Sequence, residues 1–155
     1  RKESSAASDV YKRQDPRSGP IAVVTLVLVL LLKFTALVAL IEQQQGFALL
    51  LAPLIGRGAL LGLFLCTPYV RAGGLGQALA DHLPRVAGRQ VLGLSVLACL
   101  LLGGYSGLWA VLLAAVLLFW LRQVMMRRLG GTTGDTAGAV LELLETAVLL
   151  GVALF

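Results

Sequence analysis

Apolar residues run through this chain in blocks long enough to cross a bilayer, separated by short polar breaks. The first block, residues 21–41, contains one charge, Lys33, over a length that spans a hydrocarbon core of about 30 Å. Pro20 precedes it and suits the first turn of a helix, where a missing N–H matters little. After the polar break Glu42-Gln43-Gln44-Gln45-Gly46, a second block runs from 47 to about 70. Pro53 and the sequence Gly56-Arg57-Gly58 predict that this second helix is kinked or interrupted at depth. Broken helices are tolerated in membranes where the freed backbone lines protein or a cavity. The longest polar connection follows, at 69–90. The apolar run 91–121 is too long for one comfortable span, and Gly103-Gly104-Tyr105-Ser106-Gly107 divides it into a helical hairpin, about 89–102 and 108–126. Trp109 falls near the turn, where interfacial aromatics belong. A last span is expected over about 137–155. The pattern therefore predicts an all-α integral membrane protein of about five transmembrane helices, some short or broken.

Composition agrees: 58% of the 155 residues are hydrophobic and only 14% are charged, with a mean hydropathy of +0.88. A soluble domain is nearer half apolar and a quarter charged. The formal net charge of +5 would suggest nucleic acid in a soluble protein, but here the basic residues lie mostly between apolar blocks. They read as topological signal and attraction to anionic headgroups, and no nucleic-acid partner is expected. Residues 1–14 are polar and charged, without an apolar core of signal-peptide type. They read as a disordered or non-native leader ahead of a membrane domain over 15–155. Cys66 and Cys99 each sit in an apolar run with no paired cysteine or histidine nearby, and read as buried packing residues.

Charge placement orients the spans. Arg17 precedes the first; Arg71, Arg85 and Arg89 lie in the second connection; Arg122, Arg127 and Arg128 lead into the fourth; the breaks at 42–46 and 103–107 carry no Lys or Arg. Positive-inside bias puts the amino end, the 69–90 connection and residues 130–135 on the cytoplasmic side, with the carboxy terminus outside. All the polar, glycine-rich connections then share one face.

Asp135, Glu142 and Glu145, three of the eight acids, lie at the mouth and in the first turns of the last span. An ionisable group inside a span costs about 2.5 to 3.5 kcal/mol on insertion scales and normally faces a bundle interior or cavity. Spacings of seven and three put all three acids on one side of a helix, with Gly134, Gly138 and Ala139 leaving room beside them. Two readings stand side by side. Grouped carboxylates with nearby arginines fit magnesium-dependent phosphoryl transfer. Equally, Thr133 or Asp135 caps the helix while Glu142 or Glu145 pairs with Lys33 or Arg57. Lys33 reads as snorkelling or held by a neighbouring helix, or as an anion ligand. Arg57, between two glycines, reads as a phosphate contact or as the partner of a buried acid. The run Gly73-Gly74-Leu75-Gly76 lacks the strand–loop–helix setting of a nucleotide loop. His82, the only histidine, is expected at the surface beside Asp81.

The run Leu129 to Leu150, LGGTTGDTAGAVLELLETAVLL, resembles the carboxy-terminal signature of the cobalamin synthase family, adenosylcobinamide-GDP ribazoletransferase. In that family Gly-Gly-x-Thr-Gly-Asp leads to Gly-Ala and then Glu-x-x-Glu. Asp15-Pro16-Arg17-Ser18-Gly19-Pro20 is similar to its Asp-Ser-Arg-x-Gly loop, with Pro16 in place of Ser. Tyr69-Val70-Arg71 with Gly74-Leu75-Gly76 is similar to its Tyr-x-Arg-x-x-Gly-Leu-Gly. The family's upstream acid-rich segment has no counterpart in residues 1–14, so the chain is expected to be the carboxy-terminal part of such an enzyme.

The resemblance implies transfer of α-ribazole, or its 5′-phosphate, onto the cobinamide-bearing phosphate of adenosylcobinamide-GDP. GMP leaves, and Mg2+ is required. For such a reaction the residues expected to act are Asp135 and Glu145 in catalysis, Asp135 and Glu142 as metal ligands, and Asp15, Arg17, Arg57 and Arg71 in phosphate binding. The expected setting is the inner, cytoplasmic membrane with the active face cytoplasmic. The competing reading is a transporter or permease fragment in which Lys33, Arg57, Glu142 and Glu145 form a buried charge relay. It predicts transport without cleavage of a pyrophosphate.

Overall fold

A computed structural model describes residues 19–154. The leader, Asp15 and Arg17 lie outside the described residues. Among those described, regular structure is helical apart from one parallel bridge between Tyr69 and Thr132.

Helix α1, Pro20–Glu42, begins with Pro20 in its first turn, and the Gly19 carbonyl accepts the N–H groups of Ala22 and Val23. It ends in a tight turn in which Gln44 takes a φ of +56°. From that turn Gln43 Nε2 donates to the Ala153 carbonyl at 3.2 Å, tying the end of α1 to the end of the chain's last helix.

Helix α2, Ala48–Cys66, is continuous, which corrects the expectation of a break. Pro53, the sixth residue of the helix, forfeits the one bond that the Leu49 carbonyl would otherwise accept, and the helix runs on through it. The glycines serve packing instead: a Cβ at Gly56 would meet Leu141 and Glu145 at 2.9 Å, and one at Gly58 would lie against Ser95 and Leu92. The helix also stops four residues earlier than expected.

After the short helix α3, Leu75–Asp81, comes α4, Arg85–Leu129, whose 45 residues would measure about 68 Å if straight. It is not straight. Gly104 has φ +50° and ψ −127°, and the chain folds back there, so the expected hairpin is present with its turn reduced to one residue. Gly107 then packs against the Cys99 carbonyl with no room for a side chain. Leu92, Ser95 and Cys99 of the first limb line one apolar crevice with Val111, Ala114 and Leu118 of the second. Among the described residues four helices are long and apolar enough to cross a membrane, and the reversal within α4 makes five passes of them.

Helix α5, Gly134–Leu154, is the hub: it packs on α1, α2 and α4. Leu144 and Val148 of α5, Leu40 of α1 and Leu51 and Leu63 of α2 are almost wholly buried around it. Cys99 is buried as expected, whereas Cys66 is exposed at the end of α2, its thiol donating to the Gly62 carbonyl at 3.0 Å. His82 closes α3 at the surface.

Candidate functional site at the motif-bearing end

Two chain reversals meet at one end of the bundle. Where α2 stops, Arg122 reaches over from α4, donating through Nη2 to the Cys66 carbonyl (2.9 Å) and through Nε to Thr67 Oγ1 (3.2 Å). The first of these bonds occupies a backbone carbonyl that the helix end leaves free. The chain then extends and pairs with the loop that follows α4. Val70 N–H donates to the Thr132 carbonyl (2.9 Å), and Thr132 N–H donates to the Pro68 carbonyl (2.8 Å). The second loop is shaped by its glycines. Gly130, at φ +73°, ends α4 in the left-handed region, and Gly131 lies so close to the Pro68 carbonyl and Val70 that a Cβ would strike both.

Thr133 and Thr136 then start α5 with a reciprocal cap: Thr136 N–H donates to Thr133 Oγ1 (3.3 Å), and Thr133 N–H donates to Thr136 Oγ1 (2.9 Å). Thr133 therefore does the capping, which frees Asp135 in the first turn to face outward. Its Oδ2 accepts from Arg71 Nη1 at 2.7 Å, with the side chains 83% and 60% exposed. The backbone bridge is what holds the two motifs in register for this pair. The helix start adds partial positive charge and free N–H groups at the same place.

Tyr69 is the residue whose part sequence reasoning missed. It was matched only as a motif letter, yet its ring lies under Gly74 and Gly76, positions where a Cβ would collide with it. Its buried hydroxyl has no hydrogen-bond partner among the described residues, and it lies against Gly74 and near Gly134. The spacing of Tyr69 to the glycines was the available signal.

Glu142 and Glu145 do not join Asp135. Glu142 lies seven residues along α5, about 10 Å of helix rise away. Lys33 of α1 holds both glutamates, its Nζ lying 3.0 Å from Glu142 Oε2 and 2.7 Å from Glu145 Oε2. Gly56 of α2 gives Glu145 its space. Arg57 belongs to neither cluster: it is exposed and makes no ion pair among the described residues. The described residues contain no group of three metal-ligating side chains. Asp135 fits as one carboxylate ligand of a hard cation completed by phosphates and water, whereas Glu142 would first have to leave Lys33.

Comparison with known proteins supplies the remaining finding. The family model described as cobalamin-5-phosphate synthase matches residues 13–153. The adenosylcobinamide-GDP ribazoletransferase of Pseudomonas fluorescens strain Pf-5 is 98% identical over 142 residues, covering 92% of this chain and 58% of the relative. The protein of the same name from P. fluorescens strain SBW25 is 76% identical over 141 residues (91% and 58%). That from P. savastanoi pv. phaseolicola is 72% identical over the same length (91% and 58%). The chain thus spans somewhat over half the length of these relatives. No solved structure matches it.

Proposed function

The chain belongs to the cobalamin-5-phosphate synthase family, and from that premise we propose that it is part of a membrane-bound transferase completing the cobalamin nucleotide loop. A hydroxyl of α-ribazole, or of its 5′-phosphate, attacks the phosphorus that carries cobinamide in adenosylcobinamide-GDP. The new oxygen–phosphorus bond replaces the bridge to the second phosphate, GMP departs, and the hydroxyl proton is released.

The observation that carries this reading is the meeting of Arg71 with the start of α5 at Asp135, forced by the bridge between Tyr69 and Thr132. A guanidinium fork beside the positive end of a helix suits phosphate oxygens. In the resting arrangement Asp135 occupies Arg71. Arriving phosphate takes Arg71 over and leaves the carboxylate free to hold Mg2+, which when bound neutralises charge on the phosphates. The unpartnered Tyr69 hydroxyl is a further donor for this site. Asp15 and Arg17 belong to the same reading as phosphate ligands from the loop before α1. Lys33 and Glu145 fix α1 on α5 at mid-depth, which makes Glu145 a positioning residue. The motif-bearing end is cytoplasmic, the membrane is the inner one, and five passes leave the carboxy terminus outside.

The test uses the full-length relative. Arg71→Ala is expected to raise KM for the GDP-activated substrate about 10- to 100-fold, as for loss of a charge-assisted hydrogen bond of about 1.5 to 3 kcal/mol. Unchanged affinity would sink the phosphate role. Asp135→Ala is expected to abolish the magnesium dependence along with most of the transfer. Ordinary magnesium-dependent turnover in that variant would show that Asp135 does not hold the ion.

A further inference from the structure

The side of α5 that faces α1 changes character along its length. In its second half, between the Lys33–Glu145 contact and the Gln43–Ala153 contact, Thr146 and Leu149 are buried. In its first half, Asp135, Gly138, Ala139 and Glu142 continue the same side and are all exposed. The cause is α1. Beyond Lys33 its residues Ala36 and Leu40 are buried at 2% and 0%, whereas Leu26, on the same side two turns earlier, is 59% exposed. Residues 20–32 are exposed all round except for the half-buried Val29. The two helices form an open V with Lys33 at its apex.

Hydrocarbon fills that opening poorly. Two carboxylates share one ammonium at the apex, and the Glu142 side chain is 51% exposed there. An ionised oxygen facing acyl chains inside a span costs about 2.5 to 3.5 kcal/mol on insertion scales. A helix fits better. Among the described residues nothing lies within 4 Å of where a Gly138 side chain would start, and Ala139 beside it is small, so another backbone can approach closely. Relatives of this chain have length to supply one, since the chain covers 58% of them.

We propose that the opening between residues 20–32 of α1 and residues 138–142 of α5 seats a further membrane helix, contributed by the length the relatives carry beyond this chain. That helix sets a hydrogen-bond donor against Glu142. The inference rests on family membership and not on the reaction assigned above, so either can fail alone.

The test is spin-label accessibility in the full-length P. fluorescens Pf-5 relative, reconstituted in phosphatidylethanolamine and phosphatidylglycerol bilayers. Single nitroxides are placed, in a cysteine-free background, at the positions of Gly138→Cys and Leu26→Cys, with Val116→Cys on the exposed outer side of α4 as the lipid-facing control. Oxygen accessibility is expected to be several-fold lower at Gly138 and Leu26 than at Val116, with low accessibility to a polar nickel reagent at all three. Oxygen accessibility equal to that at Val116 means that lipid fills the opening and overturns the proposal. High nickel accessibility at Gly138 means a water-filled cavity and overturns it too. Spin–spin broadening at Gly138 that disappears on dilution with unlabelled protein means that a second copy sits there, and likewise overturns it.

Discussion

Asp135 and Glu145 stand ten residues apart on one side of one helix, and each is paired to a cation at 2.7 Å, yet the two pairs are different objects. The Asp135–Arg71 pair sits at the bundle end between two loops, mostly exposed, where water competes and a surface ion pair contributes little. The Glu145–Lys33 pair lies within the spans, with side chains only 15% and 21% exposed. Water is scarce there, and a charge left without its partner is costly. What differs is exchangeability. Arg71 can release Asp135 for a phosphate at small cost, whereas Lys33 cannot leave two glutamates behind.

The largest effect expected from this contrast is at Lys33. Lys33→Met strands Glu142 and Glu145 among apolar helices and is expected to destabilise the fold by roughly 3 kcal/mol, the lower end for breaking a buried pair. Unfolding in mixed micelles measures it. The triple variant with Glu142→Gln and Glu145→Gln should recover most of the loss, because the uncompensated charge is gone. A Lys33→Met protein as stable as the parent would erase the distinction between the two pairs.

Next comes Gly131→Ala. Its new Cβ meets the backbone carbonyl of Pro68, which no side-chain rotation can move aside. Overpacking of this kind costs about 1 to 3 kcal/mol. Because the bridge also sets Arg71 against Asp135, transferase activity of the full-length enzyme is expected to fall by more than stability does. An active Gly131→Ala enzyme would mean that the register of the two loops is not what holds the site.

Much of this was legible in the sequence. Apolar block lengths predict the five passes, and the glycines at 103–107 mark the reversal in α4. Thr133 was one of the two candidate caps. The fate of the acids was not legible, for a physical reason. Spacings of seven and three fix the direction in which side chains leave α5, but the neighbour each one meets depends on depth and on where α1 crosses. Of the two readings left open by the residues, the structure shows the pairing, with Thr133 as the cap and both glutamates on Lys33, while Asp135 stands apart with Arg71 at the bundle end. The continuity of α2 was hidden in a similar way. Pro53 and two glycines are the composition of a broken helix, but Gly56 and Gly58 also serve close packing, and only the neighbours distinguish the uses. The divergence of α1 from α5 leaves no trace in a run that is apolar on every side.

The smallest effect sharpens the contrast most. Asp135→Asn removes one charge of an ion pair 2.7 Å long, the same length as the Lys33–Glu145 pair, so length alone would predict equal losses. Environment predicts otherwise. With 83% of the Asp135 side chain exposed, water re-solvates Arg71 once the carboxylate is gone, and Thr133 and Thr136 go on capping α5 without help from residue 135. The expected loss is below about 1 kcal/mol, and it should shrink further as salt rises from about 0.1 to 1 M and the screening length drops from about 10 to 3 Å. Unfolding of Asp135→Asn and parent in mixed micelles at both salt concentrations measures this. A loss as large as that of Lys33→Met, insensitive to salt, would make Asp135 a structural anchor and remove the reason for expecting phosphate to displace it.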